Sequence, residues 1–143
     1  VPLGNLSLAF ARFADPGDEV PARRSDAIRC IHAALAAAPE MIAGTGRYCS
    51  EIIRATQGKV LVKTGAEGVF CGAVPSLGLG IALKCEDGAK RASEAMMTAI
   101  LMRLGAIDDA TLQSIDRALP QPIIIRDRRL VGEVRTTAVL LAE

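Results

Sequence analysis

Lys59-Val60-Leu61-Val62-Lys63-Thr64-Gly65-Ala66-Glu67-Gly68-Val69-Phe70-Cys71-Gly72-Ala73-Val74-Pro75-Ser76-Leu77-Gly78-Leu79-Gly80-Ile81-Ala82-Leu83-Lys84-Cys85 is the stretch whose reading decides the fold. Three short runs, 59–64, 69–74 and 79–85, are rich in β-branched and aliphatic residues. The breaks between them hold Gly65, Gly68, Pro75, Ser76 and Gly78, residues that turn a chain within a few positions. Short connections of this kind predict an antiparallel meander. Gly72, Ala73 and Gly80 are poor strand formers, so backbone is expected to approach backbone or ligand closely there.

Outward from the meander, the N-terminal side reads as helical. Leu3, Leu6, Leu8, Ala9 and Phe13 share most of one helical face behind Pro2, and Asp15-Pro16-Gly17-Asp18 ends that helix. A second helix is expected from Ala22 or Ser25 to Ala38, with Ile28, Ile31 and Leu35 as its stripe and Pro39 as its stop. His32 borders that stripe and reads as a packed or capping histidine. Residues 41–50 read as a loop holding Gly44-Thr45-Gly46-Arg47-Tyr48-Cys49, followed by a helix from Tyr48 to Thr56. Free amides at such a turn can cradle an anion, but no Walker lysine or preceding strand supports a nucleotide site.

On the C-terminal side, a helix is expected over 89–104 with Ala92, Ala95, Met96, Ala99, Ile100 and Leu104 as its apolar face and Gly105 past its end. Asp108 should cap a last helix carrying Leu112, Ile115 and Leu119 and stopped by Pro120. Ile123–Ile125 and Leu130–Val134 read as closing strands turned over Arg126–Arg129. Lys84, Glu86 and Asp87 read as turn and capping residues. The expected class is α+β: helices over 1–57, then sheet and covering helices over 58–143.

Composition excludes several functions. Of 143 residues, 50% are hydrophobic and 3% aromatic, with no Trp, which leaves no base-stacking platform for single-stranded nucleic acid. A net charge of +1 supplies no electrostatic footprint for nucleic acid or an anionic membrane. Cys30, Cys49, Cys71 and Cys85 form no CxxC pair and His32 is the single histidine, so no zinc site is expected from these residues alone. Scattered thiols in an aliphatic chain predict a reducing, cytoplasmic setting.

Lys63-Thr64-Gly65, at the end of the first expected strand, matches the K-T-G element of serine β-lactamases and penicillin-binding proteins. A strand-edge lysine can hold substrate polar groups and manage the proton of a nearby hydroxyl. The partner motif S-x-x-K is absent. Three positions on from Ser7, Ser25, Ser50, Ser76, Ser93 and Ser114 stand Phe10, Ile28, Ile53, Leu79, Met96 and Arg117.

Three segments together, Pro39-Glu40-Met41-Ile42-Ala43-Gly44-Thr45-Gly46-Arg47-Tyr48-Cys49, Lys63-Thr64-Gly65-Ala66-Glu67-Gly68-Val69 and Gly80-Ile81-Ala82-Leu83-Lys84-Cys85-Glu86-Asp87-Gly88, resemble the L-asparaginase II family of rhizobial-type bacterial asparaginases. The likeness covers nearly the whole chain and the latter part of the family protein. It implies a serine-β-lactamase-like fold and hydrolysis of L-asparagine to L-aspartate and ammonia. It implies that a serine and a lysine preceding Val1 do the nucleophilic work and that Lys63 is the assisting second lysine. Arg47 and Cys49 are then expected near the substrate pocket. Glu67 either receives the substrate ammonium or satisfies turn amides. The resemblance also implies zinc held by two cysteines and a lysine preceding Val1. The expected partners are L-asparagine, the N-terminal half of the same fold and a second copy in a homodimer. A different reading makes the chain a non-catalytic assembly segment that completes a partner chain. Glutaminase or β-lactam chemistry is a third, disfavoured by the Gly44–Cys49 segment.

Overall fold

The computed structural model describes residues 1–18, 20–115 and 121–137. Helices α1 (Leu3–Ala14), α2 (Ala22–Ala37), α3 (Glu40–Ala43) and α4 (Tyr48–Ala55) come first. Strands β1 (Leu61–Thr64), β2 (Val69–Val74) and β3 (Leu79–Lys84) follow, then α5 (Lys90–Arg103), α6 (Asp109–Ser114) and the strands β4 (Gln121–Ile124) and β5 (Leu130–Val134). This is the expected α+β arrangement. The meander is a sheet in the order β1-β2-β3, antiparallel throughout, and β4-β5 forms a separate two-stranded sheet.

Register places the sheet's two faces. Leu61 pairs with Ala73 and Ala73 with Gly80; one position on, Val62 pairs with Gly72 and Gly72 with Ile81. Because side chains alternate, Leu61, Ala73 and Gly80 share one face, and Val62, Gly72 and Ile81 the other. Helix α1 lies on the first. A Cβ built at Gly80 would stand 2.1 Å from both the Ala11 amide nitrogen and the Ser7 carbonyl oxygen, so helix backbone rests directly on strand backbone. Helix α5 covers the second face, where Met97 Sδ lies 3.4 Å from the Cβ position at Gly72. The close approach expected at both glycines is present, one against backbone and one against a side chain. Between the layers Ile52, Ile53, Leu61, Phe70, Met97 and Leu101 are fully buried.

The local endings follow from their residues. Helix α1 stops where Pro16 follows Asp15, and the Asp15 carboxylate accepts the Gly17 amide. Helix α5 ends in a Schellman motif: Gly105, at φ +64°, donates to Met102, and Ala106 donates to Leu101. Asp108 caps α6 as expected, accepting from the Thr111 amide at 2.8 Å and its hydroxyl at 2.6 Å.

Four expectations need correction. Part of the expected 41–50 loop is α3, which begins after Pro39 because proline suits a first turn as well as it blocks a continuing one. Of the Ile28–Ile31–Leu35 stripe of α2, only Leu35 packs against the core. Ile31 is 48% exposed and the buried residue of α2 is Ser25. The buried face of α5 keeps Ala95 and Ala99 of the expected one but is shifted, with Ser93, Met97, Thr98 and Leu101 also buried and Met96, Ile100 and Leu104 only packed against the core. Its polar members are tolerated because Thr98 and Ser93 bond carbonyls one turn back. Finally, β1 starts at Leu61, since Thr56 and Gly58 close α4 and the Thr56 hydroxyl takes the Val60 amide. Leu119 and Pro120 lie outside the described residues.

Candidate functional site

Strand β1 is an edge strand, so its outward backbone groups need partners from elsewhere. At Thr64 the residues around the candidate site provide them. The Thr64 amide donates to Cys49 Sγ at 3.3 Å, and the Lys63 ammonium donates to the Thr64 carbonyl oxygen at 2.6 Å. Lys63 and Cys49, which are fourteen residues apart in sequence, thus meet at one peptide unit.

Cys49 reaches that point from the first turn of α4. The helix is anchored there by Tyr48, whose hydroxyl shares a hydrogen bond with Thr98 Oγ1 at 2.8 Å and whose ring meets Phe70 edge-on at 5.6 Å. Cys49 is 2% exposed. Burial pushes its thiol pKa up, the Thr64 amide and the Lys63 charge pull the other way, and Glu94 adds to the upward push. The net direction is upward, so at neutral pH Cys49 is a thiol and a weak nucleophile.

Lys63 is exposed and stands on the α1 side of the sheet, two positions from Leu61. It lies at the end of a cleft of about 390 Å³ whose other walls are apolar: Phe10 and Phe13 of α1, Ile31 and Leu35 of α2, Ile42 of α3, and Leu61 and Val62. Of the α2 stripe, Ile31 and Leu35 line this cleft and Ile28 does not. His32 packs edge-on against Phe13 at 4.6 Å, its Nε2 buried without a partner, which fits the expectation of a packed histidine.

The other two candidates are not bonded to that peptide in the described structure. Arg47 is the N-cap residue of α4, two positions before Cys49, with an exposed side chain that caps nothing. Glu67 lies in the β1–β2 turn at φ +53°, its side chain exposed and its backbone beside Gly88. The described structure gives neither residue a hydrogen bond to Lys63, Thr64 or Cys49. Thr64 as a hub and Glu94 as a charge beside Cys49 have no local signal in the sequence, because both depend on which elements meet. Asp87 does serve its turn, accepting from the Ala89 amide and pairing with Arg91.

Among the described residues no group of three or more His, Cys, Asp or Glu side chains could hold a metal ion. No step below passes through a metal ion. No helix among them is long and apolar enough to cross a membrane.

The family model described as L-asparaginase II matches residues 1–136. The chain belongs to that family, and so to the asparaginase-type amidohydrolases. A search of curated proteins found no match.

Proposed function

We propose that this chain supplies the lysine-bearing edge strand of an L-asparaginase that hydrolyses the side-chain amide of L-asparagine to L-aspartate and ammonia, on a serine-β-lactamase-like fold. The observation that carries the reading is the convergence of Lys63 and Cys49 on the Thr64 peptide at the open edge of β1. Lys63 is the site lysine, free to swing from the Thr64 carbonyl toward a bound amide. Its ammonium stabilises the oxyanion of the tetrahedral intermediate or relays the proton of the attacking hydroxyl. Cys49 acts at the pocket from behind the Thr64 peptide as a buried neutral thiol, Arg47 stands near the substrate carboxylate, and Glu67 receives the substrate ammonium. The six serines of residues 1–143 form no S-x-x-K, so the nucleophilic serine and its lysine come from outside these residues. Residues 1–143 then act as the C-terminal part of the catalytic domain in the cytoplasm.

A direct test is ammonia release from L-asparagine by a preparation shown by mass to contain residues 1–143 only. No release above background is expected, since loss of a nucleophile costs several orders of magnitude in rate. Clear turnover would overturn this assignment of the nucleophile.

The second reading, an assembly segment, is favoured by the β4–β5 hairpin. Ile124, Leu130 and Val131 are 60%, 68% and 55% exposed there, and a two-stranded sheet with apolar faces in water is marginal alone. Sedimentation of the chain across a concentration series tests it. A homodimer that dissociates on Leu130→Lys places the hairpin in the interface, and a monomer at all concentrations removes this support.

A further inference from the structure

We infer that Lys84 is a positioning residue for the candidate site: its ammonium ties the turn carrying Glu67 to the turn that follows β3. The inference rests on the reading of Glu67 as the residue that receives the substrate ammonium.

Lys84 Nζ donates to the Glu67 carbonyl oxygen at 2.6 Å and to the Cys85 carbonyl oxygen at 2.7 Å. One side chain, seventeen residues on from Glu67, therefore bridges the 65–68 turn and the 85–88 turn. Both bonds are charge-assisted and shorter than an ordinary amide contact.

The turn needs such a tie. Glu67 sits at φ +53°, a region where a side chain with a Cβ is disfavoured, so its conformation must be held from outside the residue. The two turns meet backbone to backbone. A Cβ at Gly68 would lie 3.0 Å from Cys85 Cβ and 3.1 Å from both the Cys85 oxygen and the Gly88 carbonyl carbon. No side chain can interlock across that gap. Apart from those of Lys84, the hydrogen bond that joins the turns among the described residues is the Cys85 amide donating to the Gly68 carbonyl at 3.0 Å. Register explains why Lys84 is placed to do this, since Val69, the first residue after the turn, pairs with it. Lys59, by contrast, is exposed on the turn before β1 and is bonded through its backbone to Thr56.

Lys84→Met, Lys84→Arg and the control Lys59→Met separate this role from that of a solvated edge-strand lysine. The first measurement is amide hydrogen exchange of the whole chain, which does not depend on activity. In Lys84→Met the Cys85 and Val69 amides should exchange roughly threefold to tenfold faster, the scale of a lost charged hydrogen bond weakened by exposure. Amides at the centre of β2 should be unchanged, and Lys84→Arg should recover part of the protection. Unchanged exchange at Cys85 and Val69 in Lys84→Met, or the same change in Lys59→Met, would overturn the tie.

The second measurement is KM and kcat for L-asparagine in the catalytically complete protein. KM should rise roughly threefold to tenfold with kcat within about twofold, because a receiver of the substrate ammonium acts on binding rather than on the transition state alone. The effect should vanish when Glu67 is already Asn. Faster exchange with an unchanged KM supports the tie and rejects Glu67 as a substrate contact, so the two failures are distinguishable.

Discussion

Lys63 is exposed, yet its ammonium is already spent on a neighbour's carbonyl, and this decides how its removal should read. Lys63→Met keeps the stem along the cleft and deletes the charge. Folding should survive, while kcat of the complete protein should fall by roughly 10²–10³ with a smaller change in KM, as for loss of one electrostatic group acting on the transition state. Lys59→Met should change activity less than about threefold, as expected for a surface position. Steady-state ammonia release checks both, and a Lys63→Met protein with near-normal kcat would make the K-T-G match a coincidence. Cys49 gives a second residue-scale outcome. Its thiol is buried and held above the usual thiol range, whereas Cys30 is exposed. Iodoacetamide at neutral pH should therefore label Cys30 well before Cys49, read by peptide mass. Early labelling of Cys49 would contradict the neutral, buried thiol.

At the scale of elements, the two glycines of the sheet predict opposite outcomes from the same substitution. Gly80→Ala drives a methyl into the backbone of α1, which cannot give way locally, and should cost about 3 kcal/mol in denaturant unfolding. Gly72→Ala meets side chains alone, the flexible Met97 at 3.4 Å and Val62 Cγ1 at an ordinary 3.5 Å, and should cost less than about 1 kcal/mol. Similar values for the two would refute direct contact of α1 with β3. The sequence marked both glycines as places of close approach but could not say which met backbone. That distinction depends on α1, some seventy residues earlier in the chain, landing on one face rather than the other. The element boundaries themselves were legible, because proline, glycine and aspartate act within a turn of their own position: Pro16 after α1, Gly105 after α5, Asp108 before α6. The burial pattern of α5 was less so. Its apolar residues surround most of the helix, and Thr98 was drawn inward by Tyr48, a partner fifty residues away.

For the whole molecule, titration brackets the stability from both sides. Burial raises the thiols of Cys49, Cys71 and Cys85. The folded state thus keeps protons that the unfolded chain gives up, and stability falls as pH rises past the ordinary thiol range, about 8.5. Burial lowers His32, so the folded state holds fewer protons there than the unfolded chain. Its contribution is present above about pH 6.5 and lost as pH falls through the folded value. Melting temperature against pH should show a plateau between these limits. His32→Leu should shallow the acid side relative to the parent, and an unchanged acid limb would remove His32 as a cause.

The sequence by itself determined the α+β class, the three-stranded antiparallel meander, the helix ends and the family, because these rest on local conformational preference and on short ordered motifs. It also marked Lys63 and Cys49 as site candidates. Tertiary structure alone decided that the two meet at the Thr64 peptide, that Ile31 of α2 lines a cleft while Leu35 also packs on the core, and that Lys84 holds the Glu67 turn. The physical reason is the same in each case. An edge amide, an apolar stripe or an ammonium is satisfied by whatever the packing of distant elements brings within about 3 Å, and no local pattern encodes that distance.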